Sequence, residues 1–331
     1  MPLIVPSEAG LYCPAGDFYL DPWRAVPRAV TTHAHSDHAR SGSGRYLTAR
    51  SGERVLRHRL GAGTVIDTLE YGESVTHNGV RISLHPAGHV LGSSQVRLEH
   101  GGEVWVYSGD YKTCPDPTTT SFEPVRCDLF LTESTFGLPI YRWPKIDTIV
   151  ADINAWWRGN QDAGKASVIF GYSLGKAQRL LASVDATIGP LYTHGAVEPL
   201  VQAYRESGVA MPATTAVSVA DDDVDWTRAL IVAPPSAAGS PWLRRFGKHS
   251  TASASGWMQI RGTRRRGAHD RGFILSDHVD WPGLMSAIAA TRARRILVTH
   301  GNVPVVVRYL QENGYDAQPV ETRFASDDGE A

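Results

Sequence analysis

The stretch Thr32-His33-Ala34-His35-Ser36-Asp37-His38 determines how this chain is interpreted. It follows a β-prone run and places four metal-ligand side chains within six residues. His33 and His35 are two residues apart, so they project to the same side of an extended chain and can chelate one ion. The turn that follows can direct Asp37 and His38 toward a second ion. A polar surface loop is the alternative, but ligand-type residues also follow other predicted strands.

Three further candidate ligands each follow a predicted strand: His89, Asp110 and His300. A carboxylate has two oxygens, so Asp110 can bridge two cations, and the candidates then fit two sites that share it. The first site takes His33, His35, His89 and Asp110. The second takes Asp37, His38, Asp110 and His300. Nitrogen and oxygen donors without sulfur favour zinc or manganese. Asp21, at another strand end, is predicted to orient a ligand histidine from outside the metal sites.

The order of predicted elements indicates an α/β protein with an insertion. Residues 17–135 form short strands separated by turns. Strand–turn–helix units begin near residue 147, and the apolar strand Ala166–Phe170 followed by a helix is typical of parallel α/β structure. The strands after residue 272 restore the earlier pattern. We therefore predict one larger domain, residues 1–145 and 273–331, split by an inserted domain, residues 146–272.

Composition excludes several classes of protein. No apolar run approaches the roughly 20 residues that a membrane span needs, and the N-terminus lacks the pattern of a secretory signal. The three cysteines include no C-x-x-C pair, which argues against a disulfide framework and for a cytoplasmic location. The net charge is −1, so a surface that binds nucleic acid must be a local patch.

The His-x-His-x-Asp-His motif with the later His, Asp and His resembles the metallo-β-lactamase fold. Other motifs, in the same order along the chain, are similar to those of its β-CASP nuclease branch: Glu133 in Thr132-Glu133-Ser134-Thr135, Leu174-Gly175-Lys176-Ala177-Gln178, Asp277-His278-Val279-Asp280 and Thr299-His300-Gly301. The resemblance extends from about Asp21 to His300. It implies a four-layer αββα sandwich with an inserted α/β β-CASP domain. Within this branch the chain is most similar to the bacterial DNA-ligase-associated DNA exonucleases, through the segments 10–14, 20–23 and 137–141.

The resemblance implies two divalent ions, Zn²⁺ or Mn²⁺, held by the seven ligand residues given above. It assigns its additional motifs to Glu133, His278 and His300. The last of these is apolar in the Artemis-type branch, so His300 favours a fully occupied second site. His278 is the candidate proton donor or phosphate contact, and Glu133 would orient it. Asp37 is predicted to have a catalytic as well as a metal-binding role. A buried histidine satisfied by Asp277 is the alternative for His278.

Two regions are candidates for contact with the substrate. Ser173 and Lys176 lie at a turn that opens a helix, where backbone N–H groups can bind a phosphate, although the turn is not a Walker motif. Helix capping and a solvated lysine are the alternatives. Arg264, Arg265 and Arg266 lie in a basic stretch with interleaved aromatic residues, which could bind a nucleic acid strand. A solvated basic surface is the alternative there.

The sequence therefore predicts a metal-dependent phosphodiesterase that degrades DNA, as a single-strand exonuclease in DNA repair. A DNA ligase and a helicase of the same pathway are implied as partners by the resemblance alone. The first alternative is an RNA endonuclease or exonuclease of the same branch, because the metal chemistry does not depend on the sugar. A hydrolase of small thioesters or lactams is a second alternative, and a non-catalytic subunit that binds nucleic acid is a third.

Overall fold

The computed structural model describes residues 2–260 and 269–323. These residues separate into two units, and each is described by itself. The first unit contains the described residues of Met1–Arg142 and His278–Glu330, and the second contains those of Trp143–Asp277. The assignment of residues 146–272 as an inserted β-CASP domain stays a prediction. Strands and helices are numbered along the whole chain.

The first unit contains two sheets. The strands of the first sheet, in their spatial order, are β1 (Val5–Pro6), β2 (Leu11–Cys13), β3 (Phe18–Leu20), β4 (Arg28–Val30), β5 (Arg45–Ala49) and β6 (Ile66–Leu69). The strands of the second sheet, in chain order, are β7 (Ser74–His77), β8 (Val80–Pro86), β9 (Ser94–His100), β10 (Glu103–Tyr107), β11 (Leu129–Thr132), β18 (Arg295–Val298) and β19 (Asp316–Pro319). Its spatial order is β19-β18-β11-β10-β9-β8-β7. The helices of this unit are α1 (Glu53–Leu60), α5 (Trp281–Thr291) and α6 (Val303–Glu312).

The second sheet of this unit is buried on both faces, and strand β11 shows how its sequence produces this. Successive side chains of a strand point to opposite faces. Leu129 and Leu131 pack in the core formed with the first sheet, whereas Phe130 packs in a separate cluster with residues of α5 and α6. An unbroken apolar run therefore predicts a strand between two layers. Helix α1 buries Val55 and Leu56. The α/β class predicted from the sequence is confirmed.

The second unit contains one sheet in which all neighbouring strands are parallel. Its strands are β12 (Ala166–Phe170), β13 (Leu191–Thr193), β14 (Thr215–Ala216), β15 (Leu230–Ala233), β16 (His249–Ala254) and β17 (Arg271–Phe273), in the spatial order β14-β13-β15-β12-β16-β17. Its helices are α2 (Ile146–Asp162), α3 (Lys176–Ser183) and α4 (Glu198–Glu206). Every residue of β12 is buried, as the apolar run predicted. Strand β17 pairs with β16, so this sheet continues past residue 272, where the predicted insertion ends.

Sheet topology brings the chemistry-bearing residues of the first unit to one edge. Strands β10, β11 and β18 are neighbours and parallel, and β8 runs in the same direction because both β8 and β10 are antiparallel to β9. Their carboxyl ends therefore meet at the same edge of the sheet. The residues that follow these four ends include His89, Asp110, Glu133 and His300. Strand β4 of the first sheet leads into the His33–His38 segment.

Two glycines allow the loop after His89 to approach helix α1. Gly92 has a φ of 76°, and a Cβ added there would lie 2.0 Å from the Cα of Gly52, which precedes the helix. No side chain fits at that distance, so the backbones pack directly on each other. This contact fixes the loop that carries His89 against the start of α1.

Replacing Gly92 by alanine is expected to destabilise the first unit by more than the backbone strain alone. A positive φ costs a non-glycine residue roughly 1–2 kcal/mol, and overpacking adds about 1–3 kcal/mol. Gly61 is a matched control, because its φ is 98° and an added Cβ meets no atom within 4 Å. Thermal unfolding should show a larger fall in the transition temperature for Gly92→Ala than for Gly61→Ala. Equal falls in both variants would contradict the close contact.

Candidate metal centre

Three sets of backbone hydrogen bonds fix the conformation of the His33–His38 segment. Thr31 extends the pairing of β4, since its N–H donates to the carbonyl of Leu47 at 2.8 Å. The carbonyl of Thr32 accepts a hydrogen bond from the N–H of Ser94 at 2.9 Å. The carbonyl of His35 then accepts from the N–H groups of His38 and Ala39, which closes a turn. The segment is therefore an extended strand end followed by a tight turn, as the sequence predicted.

The structure brings the four predicted ligands of the first site together in a buried cluster. Nδ1 of His35 lies 3.1 Å from Nε2 of His33 and 3.0 Å from Nε2 of His89. Zinc–nitrogen bonds of about 2.0–2.1 Å in a tetrahedral site place neighbouring ligand atoms about 3.3 Å apart. The three imidazoles therefore already stand at nearly the spacing that a shared ion requires.

The second predicted site is more open. Asp37, His38 and His300 form a separate group of possible ligands, in which only His38 is fully buried. Nε2 of His38 lies 3.5 Å from Oδ2 of Asp37, and the rings of His38 and His300 are stacked with centroids 5.9 Å apart. His300 has a φ of 60°, the left-handed region that few residue types adopt readily. This group is where a substrate could reach an ion.

Asp110 lies between the two groups. Its Oδ2 is 3.6 Å from Nε2 of His33, 3.9 Å from Nε2 of His89 and 3.3 Å from Nε2 of His38. Its Oδ1 is buried and accepts no hydrogen bond from the described residues. A buried carboxylate oxygen without a donor is costly, and a cation is the partner that such an oxygen favours. The bridging role predicted for Asp110 from the sequence stays a prediction.

The electrostatic field of the cluster favours positive charge. Burial opposes the ionisation of Asp110, but His38, His278 and His33 together outweigh this effect and hold the pKa of Asp110 well below the usual value. Burial likewise opposes the charged form of His38, yet the carboxylates of Asp110, Asp37 and Asp21 hold the pKa of His38 well above the usual value. His33 behaves in the opposite way, because burial and the neighbouring imidazoles lower its pKa. Ionised carboxylates and imidazole nitrogens are donors that divalent cations favour, and a bound cation would replace the proton that His38 otherwise holds.

Asp21 supports the cluster through hydrogen bonds to Thr32, His38 and Tyr107. Its Oδ1 accepts a hydrogen bond from the N–H of Thr32 at 2.7 Å, and its Oδ2 accepts one from the hydroxyl of Thr32 at 2.6 Å. The same Oδ2 lies 2.8 Å from Nδ1 of His38 and accepts from the hydroxyl of Tyr107 at 3.0 Å. A carboxylate on Nδ1 fixes the imidazole so that Nε2 faces the ion. Asp21 itself has a φ of 41°.

Glu133 and His278 form a third group, which includes Asp110. Nδ1 of His278 lies 2.9 Å from Oε2 and 3.0 Å from Oε1 of Glu133. The N–H of Tyr111 and the hydroxyl of Thr135 also donate to this carboxylate. The ring of His278 is 4.7 Å from the ring of His89, so the pair adjoins the first cluster. Both oxygens of Glu133 thus lie within hydrogen-bond distance of Nδ1 of His278.

Tyr107 and Lys112 belong to this region but were not recognised in the sequence. Tyr107 ends strand β10, and Lys112 is fully buried with its Nζ 2.6 Å from Oδ2 of Asp116. Nζ of Lys112 also lies 3.4 Å from the carbonyl oxygen of His89. A tyrosine at a strand end and a lysine after a turn are common in proteins, so neither residue carried a signal in the sequence.

The predicted substrate contacts lie in the second unit or outside the described residues. Lys176 is 2% exposed. Its Nζ lies 4.3 Å from the ring centroid of Tyr172 and 3.9 Å from Oδ2 of Asp277. Ser173 is half-buried, and its carbonyl accepts from the side chain of Gln178. The phosphate contacts predicted for Ser173 and Lys176 stay predictions. Arg264, Arg265 and Arg266 lie outside the described residues.

Two sheets between helices, with a buried histidine and aspartate cluster at the strand ends, define a protein of the metallo-β-lactamase fold. No family model matches the chain. The chain is 32% identical over 322 residues to a probable DNA ligase of Opitutus terrae. The aligned region covers 96% of this chain and 31% of that protein. The chain is 30% identical over 122 residues to cleavage and polyadenylation specificity factor subunit 3 of Dictyostelium discoideum, covering 36% of this chain and 16% of that protein.

A third relative is the endoribonuclease YSH1 of Yarrowia lipolytica, which is 29% identical over 122 residues. The aligned region covers 36% of this chain and 14% of that protein. These similarities support the β-CASP nuclease family that the motifs of the chain predict. The chain spans less than a third of the length of each of these curated relatives. Among solved structures, a protein of unknown function from Enterococcus faecalis V583 is similar in fold, with a TM-score of 0.60, 11% identity, and coverage of 90% of this chain and 80% of that one.

Replacing Asp21 by alanine is expected to weaken metal binding at the second group by roughly 10–100-fold, because His38 loses the carboxylate that orients it. Metal content after dialysis, measured by inductively coupled plasma mass spectrometry, checks this. Asp17→Ala is a matched control. Asp17 lies directly before strand β3, whereas Asp21 lies directly after it, and Asp17 also has a positive φ, 53°. Equal metal content in the two variants would contradict the role assigned to Asp21.

Proposed function

We propose that this chain is a metal-dependent nuclease that hydrolyses phosphodiester bonds in DNA. The observation that carries the proposal is the convergence of three groups of ligand residues on Asp110 at the strand ends, where Asp37 and His300 are partly exposed. Two divalent ions, zinc or manganese, would be held by His33, His35, His89 and Asp110 and by Asp37, His38, Asp110 and His300. Such ions, when bound, polarise a phosphate and lower the pKa of water toward neutrality.

The chain's own residues supply the remaining chemistry. Asp110 and Asp37 would supply the negative charge that holds the ions, and Asp37, at the more open group, would lie beside the reacting phosphate. His278 is held through Nδ1 by Glu133, so any proton given to the departing sugar oxygen comes from Nε2. Glu133 is a positioning residue, because its own oxygens are engaged by Tyr111, Thr135 and His278.

The choice of DNA rests on the longest of the similarities. The relative matched over 96% of this chain is named a probable DNA ligase, and this chain corresponds to less than a third of it. A nuclease that trims strands before sealing fits such a protein, so we propose single-strand exonuclease activity in DNA repair and a DNA ligase as the functional partner. A helicase partner and a cytoplasmic location stay predictions. Among the described residues, no helix has both the length and the apolar character that crossing a bilayer requires.

RNA is the second candidate substrate. The relatives named as a cleavage and polyadenylation factor subunit and as an endoribonuclease match about a third of the chain, and their names point to RNA processing. Matched single strands of DNA and RNA, labelled at either end and incubated with manganese or with zinc, separate the two substrates and give the direction of digestion. Faster cleavage of RNA than of DNA would replace DNA by RNA in the proposal.

Replacing His278 by alanine is expected to lower the rate of strand cleavage by roughly 10²–10⁴-fold, the usual contribution of a general acid, while the metal content stays that of the wild type. Asp110→Asn is expected to remove both ions together with activity, because the shared carboxylate is lost. His85→Ala is a matched control, since His85 is half-buried on β8 and bonded to Ser83. Loss of metal in His278→Ala would make His278 a ligand instead of a proton donor.

A further inference from the structure

The loop that carries His89 is held by side chains instead of by a strand or a helix. Residues 87–93 lie between β8 and β9 and belong to neither strand. The N–H of His89 donates a hydrogen bond of 2.9 Å to Oγ of Ser93, and both residues are buried. Gly88, directly before the candidate ligand, has a φ of 74°. The place of the His89 imidazole therefore depends on contacts that the rest of the first unit makes with this loop.

Lys112 supplies three of these contacts, each with a different part of the residue. Its N–H donates to the carbonyl of Ala87 at 3.0 Å. Its carbonyl oxygen packs on Gly88, where an added Cβ would lie 2.4 Å from that oxygen. Its Nζ donates a hydrogen bond of 3.4 Å to the carbonyl of His89. One residue thus contacts three consecutive residues of the loop.

Asp116 directs the ammonium group of Lys112. Nζ lies 2.6 Å from Oδ2 of Asp116, and the two side chains are 0% and 2% exposed. The other oxygen of Asp116 accepts hydrogen bonds from the N–H of Thr118 at 2.8 Å and from its hydroxyl at 2.6 Å. The hydroxyl of Thr119 donates to the carbonyl of Gly88 at 3.2 Å, so the same turn also contacts the loop. The carboxylate that pairs with Lys112 is therefore itself fixed.

Stability alone is a poor explanation for this buried ion pair. Removing an ammonium group and a carboxylate from water costs much of the free energy that their attraction returns. Apolar side chains of similar volume often stabilise a fold equally well. An ammonium group, unlike an apolar side chain, can also donate a hydrogen bond to a backbone carbonyl, and here that carbonyl belongs to a candidate metal ligand.

The position of Lys112 in the chain points to the same role. Asp110, the candidate bridging ligand, lies two residues earlier. The N–H of Tyr111, between them, donates to Oε1 of Glu133 at 2.8 Å. Three consecutive residues after β10 therefore contact the first ligand group, the partner of His278 and the loop of His89.

We propose that Lys112 is a positioning residue, which together with Asp116 holds the backbone of His89 so that its imidazole meets that of His35 at the spacing of a shared ion. Nε2 of His89 lies 3.0 Å from Nδ1 of His35. The inference rests on the proposed function, because it concerns the ion that the first group of ligands would hold. Groups that orient metal ligands without touching the ion typically account for about 10–100-fold in metal affinity.

The experiment compares zinc binding by the wild type, Lys112→Met and Lys112→Met/Asp116→Asn. Methionine has a similar length but neither a charge nor an N–H donor. The second substitution removes the carboxylate charge and keeps an oxygen that accepts from Thr118. Competition with a chromophoric chelator gives the Kd of the first zinc ion. Both variants are expected to raise this Kd by about 10–100-fold, and the double variant is expected to recover thermal stability that Lys112→Met loses.

Cobalt supplies a second readout, because the visible absorption of Co²⁺ depends on the number and geometry of its ligands. The first equivalent of Co²⁺ is expected to give a weaker or shifted absorption in the double variant than in the wild type. The double variant decides the question, since it leaves no carboxylate charge beside the methionine. A zinc Kd and a Co²⁺ spectrum equal to those of the wild type would overturn the proposal, because Lys112 would then serve stability alone.

Leu310→Ala is the control for lost stability. Leu310 is buried on α6, in the cluster that contains Phe130. Replacing a buried leucine by alanine destabilises a fold through the cavity that remains. This variant is expected to unfold at a lower temperature than the wild type and to keep the zinc Kd of the wild type. A rise in its Kd equal to that of the double variant would also overturn the proposal, because zinc affinity would then follow stability.

The binding measurements also separate this inference from the proposed function, because they need no substrate. Suppose that the wild type binds zinc more tightly than the double variant but cleaves neither DNA nor RNA. That result would overturn the proposed function and leave the inference standing. Cleavage of DNA by the wild type, together with equal zinc affinities in the wild type and the double variant, would do the reverse.

Discussion

The buried carboxylate of Asp110 is the constraint on which the rest of the structure depends. An ionised group in the interior of a protein is stable only beside opposite charge, and here the imidazoles of His33, His38 and His89 surround it. Those histidines in turn come from loops after strands of two different sheets. The sandwich must therefore form with its strand ends aligned before the cluster exists, which makes the site a product of the whole first unit.

The supporting residues show how that alignment is maintained. Asp21 binds the backbone and side chain of Thr32, the ring of His38 and the hydroxyl of Tyr107, so it links strands β3, β4 and β10 across the two sheets. A single carboxylate thereby couples the register of the sandwich to the orientation of a ligand. Such residues act on chemistry without touching a substrate, and their removal acts first on metal affinity.

Much of the first unit could be predicted because its signals are local. The unbroken apolar run of β11 and the ligand spacing from His33 to His38 follow directly from strand geometry and coordination chemistry. The pairing of Glu133 with His278 came from family motifs, since no spacing links residues so far apart in the chain. Tyr107 and Lys112 could not be predicted, because their importance arises from partners that only the fold brings near.

The backbone at His300 limits which residues this chain can accept at that position. A left-handed φ is unfavourable for valine and isoleucine, whose branched Cβ crowds the chain, whereas asparagine, aspartate and glycine tolerate it. Gly301 reinforces this geometry, since an added Cβ would lie 2.3 Å from the carbonyl oxygen of Ser134. Evolutionary drift to a branched apolar residue would therefore require the whole loop to change its path. In this chain the main-chain conformation itself protects the last ligand against replacement.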